Sequence, residues 1–126
     1  MLNTRATKIL IIDDEKELCS LLREYFSGEG YVVEVTYDGD SGITKAKSFE
    51  PDIIILDYRM PVTGGAQVIK AVRKSFSTPI ICVSAVSSKK TVDECLQLGA
   101  TKYIHKPIIL EDLMDQVQNC LILREK

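Results

Sequence analysis

Five short apolar segments, separated by longer segments with helical periodicity, constrain the fold of this chain more than any other feature. The apolar segments cover residues 8–12, 31–35, 52–56, 79–83 and 100–104. Their length and their content of β-branched residues are typical of strands. The chain has 126 residues, which is the usual size of one domain. We therefore expect residues 1–126 to form a single domain built on five strands.

The segments between and after these strands have the periodicity of amphipathic helices. In "EKELCSLLREYF" the apolar residues follow the spacing of one helix face: Leu18, Leu21, Leu22, Tyr25 and Phe26. We expect Gly28 to end this helix. Gly42 weakens the prediction of the second helix, because glycine costs about 1 kcal/mol relative to alanine. The last segment has its own apolar stripe at Leu110, Leu113, Met114, Val117 and Leu121.

Regular alternation of strands and helices is typical of parallel crossover units, which wind right-handed in nearly all cases. The first and third strands are almost purely aliphatic, so we expect them in the centre of the sheet with helices on both faces. The pattern predicts an α/β fold with an open, doubly wound, five-stranded parallel sheet. In such sheets, ligands bind at the carboxyl ends of the strands.

Composition and charge argue against several classes of protein. The net charge of -2 argues against a nucleic-acid-binding domain, because such domains normally carry a basic surface. No apolar run approaches the roughly 18–20 residues that span a bilayer, and the polar start lacks the core of a signal peptide. The four cysteines are scattered without a C-x-x-C pair, which favours reduced core thiols over zinc or disulfides. We expect a cytoplasmic domain that contacts neither membrane nor nucleic acid directly.

The carboxyl ends of the predicted strands carry the reactive side chains. Asp13 and Asp14 follow the first strand, Asp57 the third and Ser84 the fourth, and Lys106 follows the fifth. Two carboxylates about 4 Å apart repel by roughly 4 kcal/mol at an effective dielectric near 20, so a cluster of them needs a cation. A site that combines Mg²⁺, a lysine and a hydroxyl around a carboxylate suits a phosphoryl group. The central carboxylate can act as a nucleophile and form an acyl phosphate.

Four motifs in this order resemble the receiver domain of response regulators in two-component signalling, of the chemotaxis-regulator type. They are "ILIIDDE", "PDIIILDYRMP", "PIICVSA" and "LGATKYIHKP". The resemblance covers the whole chain and implies a flavodoxin-like sheet in the order 2-1-3-4-5. It implies a signalling domain, not an enzyme, that takes a phosphoryl group from a histidine kinase or phosphotransfer protein. Such a domain catalyses its own phosphoryl transfer and its own slow dephosphorylation. Its output would be a downstream protein or a C-terminal output domain.

The resemblance also implies the roles of the acidic residues. Asp57 would accept the phosphoryl group, and its alternative is a helix N-cap or turn acid. Mg²⁺ (or Mn²⁺) would be held by Asp57, by Asp14 directly, by Asp13 through water and by the backbone carbonyl of Arg59. Capping of the first helix is an alternative for the acidic pair. Glu15 is expected in the first turn of that helix, where it complements the helix dipole.

The remaining site residues are implied in the same way. Lys106 would contact the phosphoryl oxygens, in a cis bond to the following proline, and Ser84 would donate its hydroxyl to them. Tyr103 would turn inward as Ser84 leaves its resting position. The alternatives are a solvated surface lysine, a polar strand terminus and a half-buried strand aromatic. Arg59 and Val86 occupy the two variable positions that tune phosphate lifetime, and we predict a phosphate that persists longer than average.

Two other classes of protein share single features of this sequence. A phosphohydrolase of the haloacid dehalogenase type also uses an aspartate after a strand, but it needs a second aspartate where this chain has Arg59. A nucleotide-binding module needs a glycine-rich loop that opens a helix, whereas "GEGYVV" precedes a predicted strand. The sequence leaves open whether the receiver acts alone or as the N-terminal module of a longer protein.

Overall fold

The computed structural model describes residues 5–86 and 88–125, and within these ranges five strands alternate with five helices. The elements are β1 (Lys8–Ile12), α1 (Lys16–Gly28), β2 (Val32–Thr36), α2 (Gly39–Phe49), β3 (Ile53–Asp57), α3 (Gly65–Arg73), β4 (Ile80–Ser84), α4 (Lys89–Leu98), β5 (Lys102–His105) and α5 (Leu110–Glu125). The strands are parallel and lie in the order β2-β1-β3-β4-β5. This order confirms the predicted doubly wound, flavodoxin-like α/β fold.

The central strands are buried from both sides. Every residue of β3 and β4 is buried, as is every residue of β1 except Lys8. Alternate β1 side chains belong to two apolar clusters, because successive strand residues point to opposite faces. Residues of α1 and α5 pack on one face, and residues of α2, α3 and α4 pack on the other. Helices on both faces explain why the central strands are continuously aliphatic.

The predicted strand boundaries are right for β1 and wrong for the other four strands. Strands β2, β3 and β4 each begin and end one residue later than predicted, and β5 begins two residues and ends one residue later. The apolar runs stop before the hydrogen-bonded ladder does. Asp57 is paired with Val83, and Ser84 is paired with His105. The polar residues at the carboxyl edge are therefore fixed by the ladder as the last residues of their strands.

One prediction for α1 is wrong and one is confirmed. Leu21 was placed on the apolar face but is 49% exposed, whereas Cys19 is buried. The helix ends at Gly28, as predicted, and the positive φ lies two residues later, at Gly30. Leu21 and Cys19 lie on different sides of the helix, and the i, i+3, i+4, i+7 spacing includes Leu21 and leaves out Cys19.

The second helix forms in spite of Gly42, and the packing explains the glycine. A Cβ atom at this position would lie 2.6 Å from Cδ1 of Ile12, so only glycine lets α2 approach β1 this closely. The stripe predicted on α5 is confirmed: Leu113, Met114 and Val117 are buried. The cysteines lie in the core, as expected of core thiols. No helix in the described ranges is both long and apolar enough to span a membrane.

Candidate functional site

Backbone hydrogen bonds at the carboxyl edge of the sheet position the predicted site residues. Asp13 follows β1, and its N–H donates to the carbonyl of Thr36 at 3.1 Å. Asp57 and Ser84 are the last residues of the adjacent strands β3 and β4. Lys106 follows β5, and its N–H donates to the carbonyl of Ser84 at 2.9 Å. The parallel topology thus brings residues from four strands to one edge.

Three carboxylates meet at this edge. Asp13, Asp14 and Asp57 can each offer one oxygen such that all three oxygens lie within 4.8 Å of one another. Asp13 and Asp57 are buried, whereas Asp14 is exposed to solvent. Asp13 Oδ1 accepts a hydrogen bond from the N–H of Glu15 at 2.9 Å, and Asp57 Oδ1 accepts one from the N–H of Arg59 at 3.1 Å. The acidic residues predicted from the sequence therefore form one cluster.

Lys106 points into this cluster and is not on the solvated surface. Its side chain is 13% exposed, and Nζ lies 3.1 Å from Asp13 Oδ2 and 3.5 Å from Asp57 Oδ2. A third carboxylate is closer, since Glu15 Oε1 lies 2.5 Å from Nζ. The peptide bond between Lys106 and Pro107 is cis, as the resemblance implied.

Burial dominates the electrostatics of the acids. Burial, reinforced by the charge of Asp13, raises the pKa of Asp57 to about 7. Burial likewise raises the pKa of Asp13. Burial lowers the pKa of Lys106, but the contacts with Glu15 and Asp13 outweigh it, so that the net shift is upward. One ammonium therefore stays charged beside carboxylates that are costly to ionise together.

The donor set fits a divalent cation. Asp13 Oδ2 is buried and accepts no hydrogen bond from the described residues, although Lys106 Nζ lies 3.1 Å away. The Lys106 ammonium is one positive charge shared among three carboxylates, so a second cation would lower the cost of burying the acidic cluster. Carboxylate oxygens are hard ligands of the kind that Mg²⁺ prefers, and Mg²⁺ usually takes few of them from protein. The cluster of Asp13, Asp14 and Asp57 meets this requirement.

Ser84 and Tyr103 are both connected to the main chain of Val86. The N–H of Val86 donates to Ser84 Oγ at 3.2 Å, and the hydroxyl of Tyr103 donates to the carbonyl of Val86. The Tyr103 ring is half-buried and packs edge-on against His105, with 5.4 Å between ring centroids. The sequence pointed to the Val86 side chain only. Its backbone role was missed because main-chain hydrogen bonds leave no signal in residue type.

Glu15 is the site residue that the sequence prediction missed. The sequence predicts Glu15 in the first turn of α1, which is wrong by one residue, because Glu15 is the N-cap that precedes the helix. Its side chain makes no capping hydrogen bond. Its carboxylate instead contacts Lys106, which lies 91 positions away in the chain. The third acid of "DDE" was visible in the sequence, but nothing local to it identifies so distant a partner.

Comparisons with known proteins agree with this geometry. The sequence model described as "Response regulator receiver domain" matches residues 9–118. Over 115 aligned residues, the chain is 37% identical to the response regulator ArlR of Staphylococcus aureus. The aligned region covers 91% of this chain and 52% of ArlR. The chain thus spans about half the length of the curated relatives that it matches.

Solved structures give the same result. The chemotaxis protein CheY4 of Vibrio cholerae is 32% identical, with a TM-score of 0.87 over 93% of this chain and 100% of that one. The receiver domain of the Francisella response regulator 1452 is 30% identical, with a TM-score of 0.87 over 95% and 99% of the two chains. The protein belongs to the response regulator receiver domain family of two-component systems.

Proposed function

We propose that this receiver domain is activated by phosphorylation of Asp57 in a reaction that requires Mg²⁺ or Mn²⁺. The observation that carries the proposal is the position of Asp57. Its carboxylate is 4% exposed and lies within an acidic cluster, with Oδ2 3.5 Å from Lys106 Nζ. A buried carboxylate between a cation site and a fixed ammonium is suited to nucleophilic attack on a phosphoryl group.

The metal would be held by Asp13, Asp14, Asp57 and the backbone carbonyl of Arg59. The N–H of Arg59 already braces Asp57 Oδ1, which places this residue beside the cluster. When bound, a divalent cation would neutralise the clustered acids and bind oxygens of the phosphoryl group. Because the cation offsets the repulsion between Asp13 and Asp57, it would also keep Asp57 ionised at neutral pH.

The chain's own residues carry the transfer. An oxygen of Asp57 attacks phosphorus, and the bond between phosphorus and the donor's leaving atom breaks with its electron pair on that atom. Lys106, which stays protonated, stabilises the negative charge of the phosphoryl oxygens. With these residues the domain catalyses its own phosphorylation. Because burial of Asp57 limits the access of water to the acyl phosphate, its hydrolysis is slow.

The switch would begin at Ser84. Its hydroxyl turns to donate to the phosphoryl group, and the hydrogen bond from the N–H of Val86 is lost. The carbonyl of the same residue accepts from Tyr103, so movement of the Val86 main chain removes the contact that holds Tyr103 in its resting position. Phosphorylation at Asp57 is thereby coupled to an aromatic side chain on β5.

The size of the switch follows from the number of new bonds. Lys106 is already paired with carboxylates, so it exchanges one anionic partner for another. The gain is the charge-assisted hydrogen bond from Ser84, worth roughly 1.5–3 kcal/mol, less about 0.5–1.5 kcal/mol for the bond from the N–H of Val86 that it replaces. Inverting a 1:99 population needs about 5.5 kcal/mol. Phosphorylation alone would therefore shift the equilibrium in part, and a downstream partner would complete the change.

The proposed setting is a cytoplasmic phosphorelay. Residues 1–126 act as one receiver domain that takes its phosphoryl group from a histidine kinase or phosphotransfer protein. The output is either a downstream protein or an output domain C-terminal to the receiver. The greater length of ArlR, of which this chain covers 52%, is compatible with the second arrangement.

Arg59→Ala is expected to shorten the lifetime of the phosphorylated state. The Arg59 side chain is exposed beside Asp57 and can cover the acyl phosphate, whereas alanine cannot. We expect hydrolysis about two- to fivefold faster, the effect of losing one exposed electrostatic contact. Loss of the label is followed by intact mass after removal of the donor. Lys70→Ala, an exposed cation on α3, is the control; identical hydrolysis rates in both variants would count against the prediction.

The test of the proposed function is phosphorylation by a small donor. Wild-type protein is incubated with acetyl phosphate and Mg²⁺, and its intact mass is then measured by mass spectrometry. We expect one added phosphoryl group in the wild type, none in Asp57→Asn, and none when EDTA removes the metal. Asp93→Asn, at an acid on α4 paired with Lys89 away from the site, should be labelled like the wild type. A labelled Asp57→Asn protein, or an unlabelled wild type, would refute the proposal.

A further inference from the structure

The ammonium of Lys106 has as many carboxylate neighbours as it has protons to donate. Its neighbours are Glu15 at 2.5 Å, Asp13 at 3.1 Å and Asp57 at 3.5 Å, and a lysine ammonium offers three N–H donors. The shortest of the three contacts is made by Glu15, which has no part in the proposed metal binding or phosphoryl transfer. An incoming phosphoryl group meets a lysine that is already fully surrounded by acceptors.

Glu15 is also the neighbour that is free to leave. Its side chain is 58% exposed, whereas those of Asp13 and Asp57 are 2% and 5% exposed. The Glu15 backbone is anchored separately, since its N–H donates to Asp13 Oδ1 at 2.9 Å. Its side chain makes no capping bond to α1. The carboxylate can therefore swing into solvent without disturbing the acidic pair or the helix.

We propose that Glu15 is a positioning residue that holds Lys106 in the resting site and competes with the phosphoryl group for its ammonium. This inference rests on the proposed phosphorylation of Asp57. A phosphoryl group adds negative charge and new acceptor oxygens beside Lys106, and like charges at this range repel. The exposed Glu15 side chain is displaced, while the two buried aspartates stay in place.

The competition predicts an effect on one direction of the reaction only. Breaking the contact between Glu15 and Lys106 is part of the barrier to phosphorylation, and the Glu15 carboxylate also faces the approaching anionic donor. After phosphorylation the contact between Glu15 and Lys106 is already broken, so breaking it is not part of the barrier to hydrolysis. Removing the contact should therefore speed phosphorylation and leave hydrolysis unchanged.

The test compares three variants with acetyl phosphate and Mg²⁺. In Glu15→Gln we expect a phosphorylation rate constant about three- to fivefold higher than in the wild type, with a hydrolysis rate within about twofold, the range of an exposed ion pair. Glu15→Asp keeps the charge, shortens the reach by one methylene and supplies a favoured N-cap residue. It should therefore fold well and phosphorylate faster than the wild type.

Glu17→Gln is the matched control. Glu17 lies in the first turn of the same helix and is exposed, so its replacement removes the same charge without touching Lys106. We expect its rates to stay within about twofold of the wild type. The effect of Glu15→Gln should also shrink at high salt, because the contact lies at an exposed side chain.

The possible failures are distinguishable. If the wild type is phosphorylated and Glu15→Gln reacts at the rate of Glu17→Gln, the competition does not exist and the proposed function stands. If Glu15→Gln changes phosphorylation and hydrolysis by the same factor, Glu15 has a general structural role and the inference is wrong. If the wild type gains no phosphoryl group, the proposed function and this inference both fail.

Discussion

Asp57→Asn is expected to stabilise the metal-free protein by about 3 kcal/mol at about pH 8. Burial and the charge of Asp13 raise the pKa of the Asp57 carboxyl to about 7 from an ordinary value of 3.8. Ionisation of Asp57 is therefore less favourable in the folded protein than in the unfolded chain, and this difference lowers the free energy of unfolding. Asparagine has nearly the same shape and never ionises, so it avoids this cost and still accepts the hydrogen bond from Arg59.

The pH dependence of stability follows from the same upward shift. Between the unfolded pKa of 3.8 and the folded pKa of about 7, the folded protein holds a proton that the unfolded chain has lost. The stabilisation is complete below the lower value and is lost as the pH rises through the higher one. The metal-free wild type should therefore be less stable at about pH 8 than at about pH 5, and Asp57→Asn should show a shallower decline. Asp13, whose pKa is also raised, keeps some slope in the variant.

Urea unfolding in EDTA, at both pH values, measures this effect. Addition of Mg²⁺ at the higher pH should stabilise the wild type by more than the variant, because the cation then offsets a repulsion that asparagine has already removed. The exposed-site variant Asp93→Asn serves as the control, since its carboxylate lies outside the cluster. An Asp57→Asn protein less stable than the wild type in EDTA at the higher pH would contradict the electrostatic account.

Arg73→Met is expected to lower the free energy of unfolding by about 3 kcal/mol. The Arg73 guanidinium donates to the carbonyl of Gly99 at 2.7 and 3.0 Å, to that of Thr78 at 2.8 Å and to that of Phe76 at 3.2 Å. It thereby joins the end of α3 to the segment before β4 and to the C-cap of α4. Methionine keeps the aliphatic stem but leaves these carbonyls without a donor, at about 1–3 kcal/mol for each one that water cannot reach.

Chemical denaturation of Arg73→Met against Lys74→Met isolates this effect. Lys74 is the next residue, is exposed, and carries the same charge, so its replacement should change stability by less than about 0.5 kcal/mol. Arg73→Lys should fall between the two variants, because one ammonium cannot reproduce the fork of a guanidinium. A loss below about 1 kcal/mol for Arg73→Met would mean that water replaces the guanidinium at these carbonyls.

Features that depend on local pattern could be predicted from the sequence. The aliphatic runs located all five strands to within two residues, and the pattern is clearest in β1, β3 and β4, which are covered on both faces and have few polar positions. Asp13, Asp57 and Lys106 could be assigned to one site because parallel strands bring all their carboxyl ends to the same edge.

The remaining features depend on contacts that the sequence does not encode locally. The strands β2 to β5 extend past their apolar runs because the ladder includes polar residues such as Ser84. The contact between Glu15 and Lys106 joins residues from opposite ends of the chain. The link from Ser84 to Tyr103 runs through the main-chain N–H and C=O of Val86, which any residue type except proline could supply.

Mapping the phosphorylated residue tests the central claim most directly. Protein treated with acetyl phosphate and Mg²⁺ is reduced with borohydride, which converts an aspartyl phosphate to homoserine, and its peptides are then sequenced by mass spectrometry. We predict homoserine at Asp57 and at no other aspartate. Homoserine at Asp13 or Asp14, or an unmodified Asp57 in protein that has gained a phosphoryl group, would contradict the account.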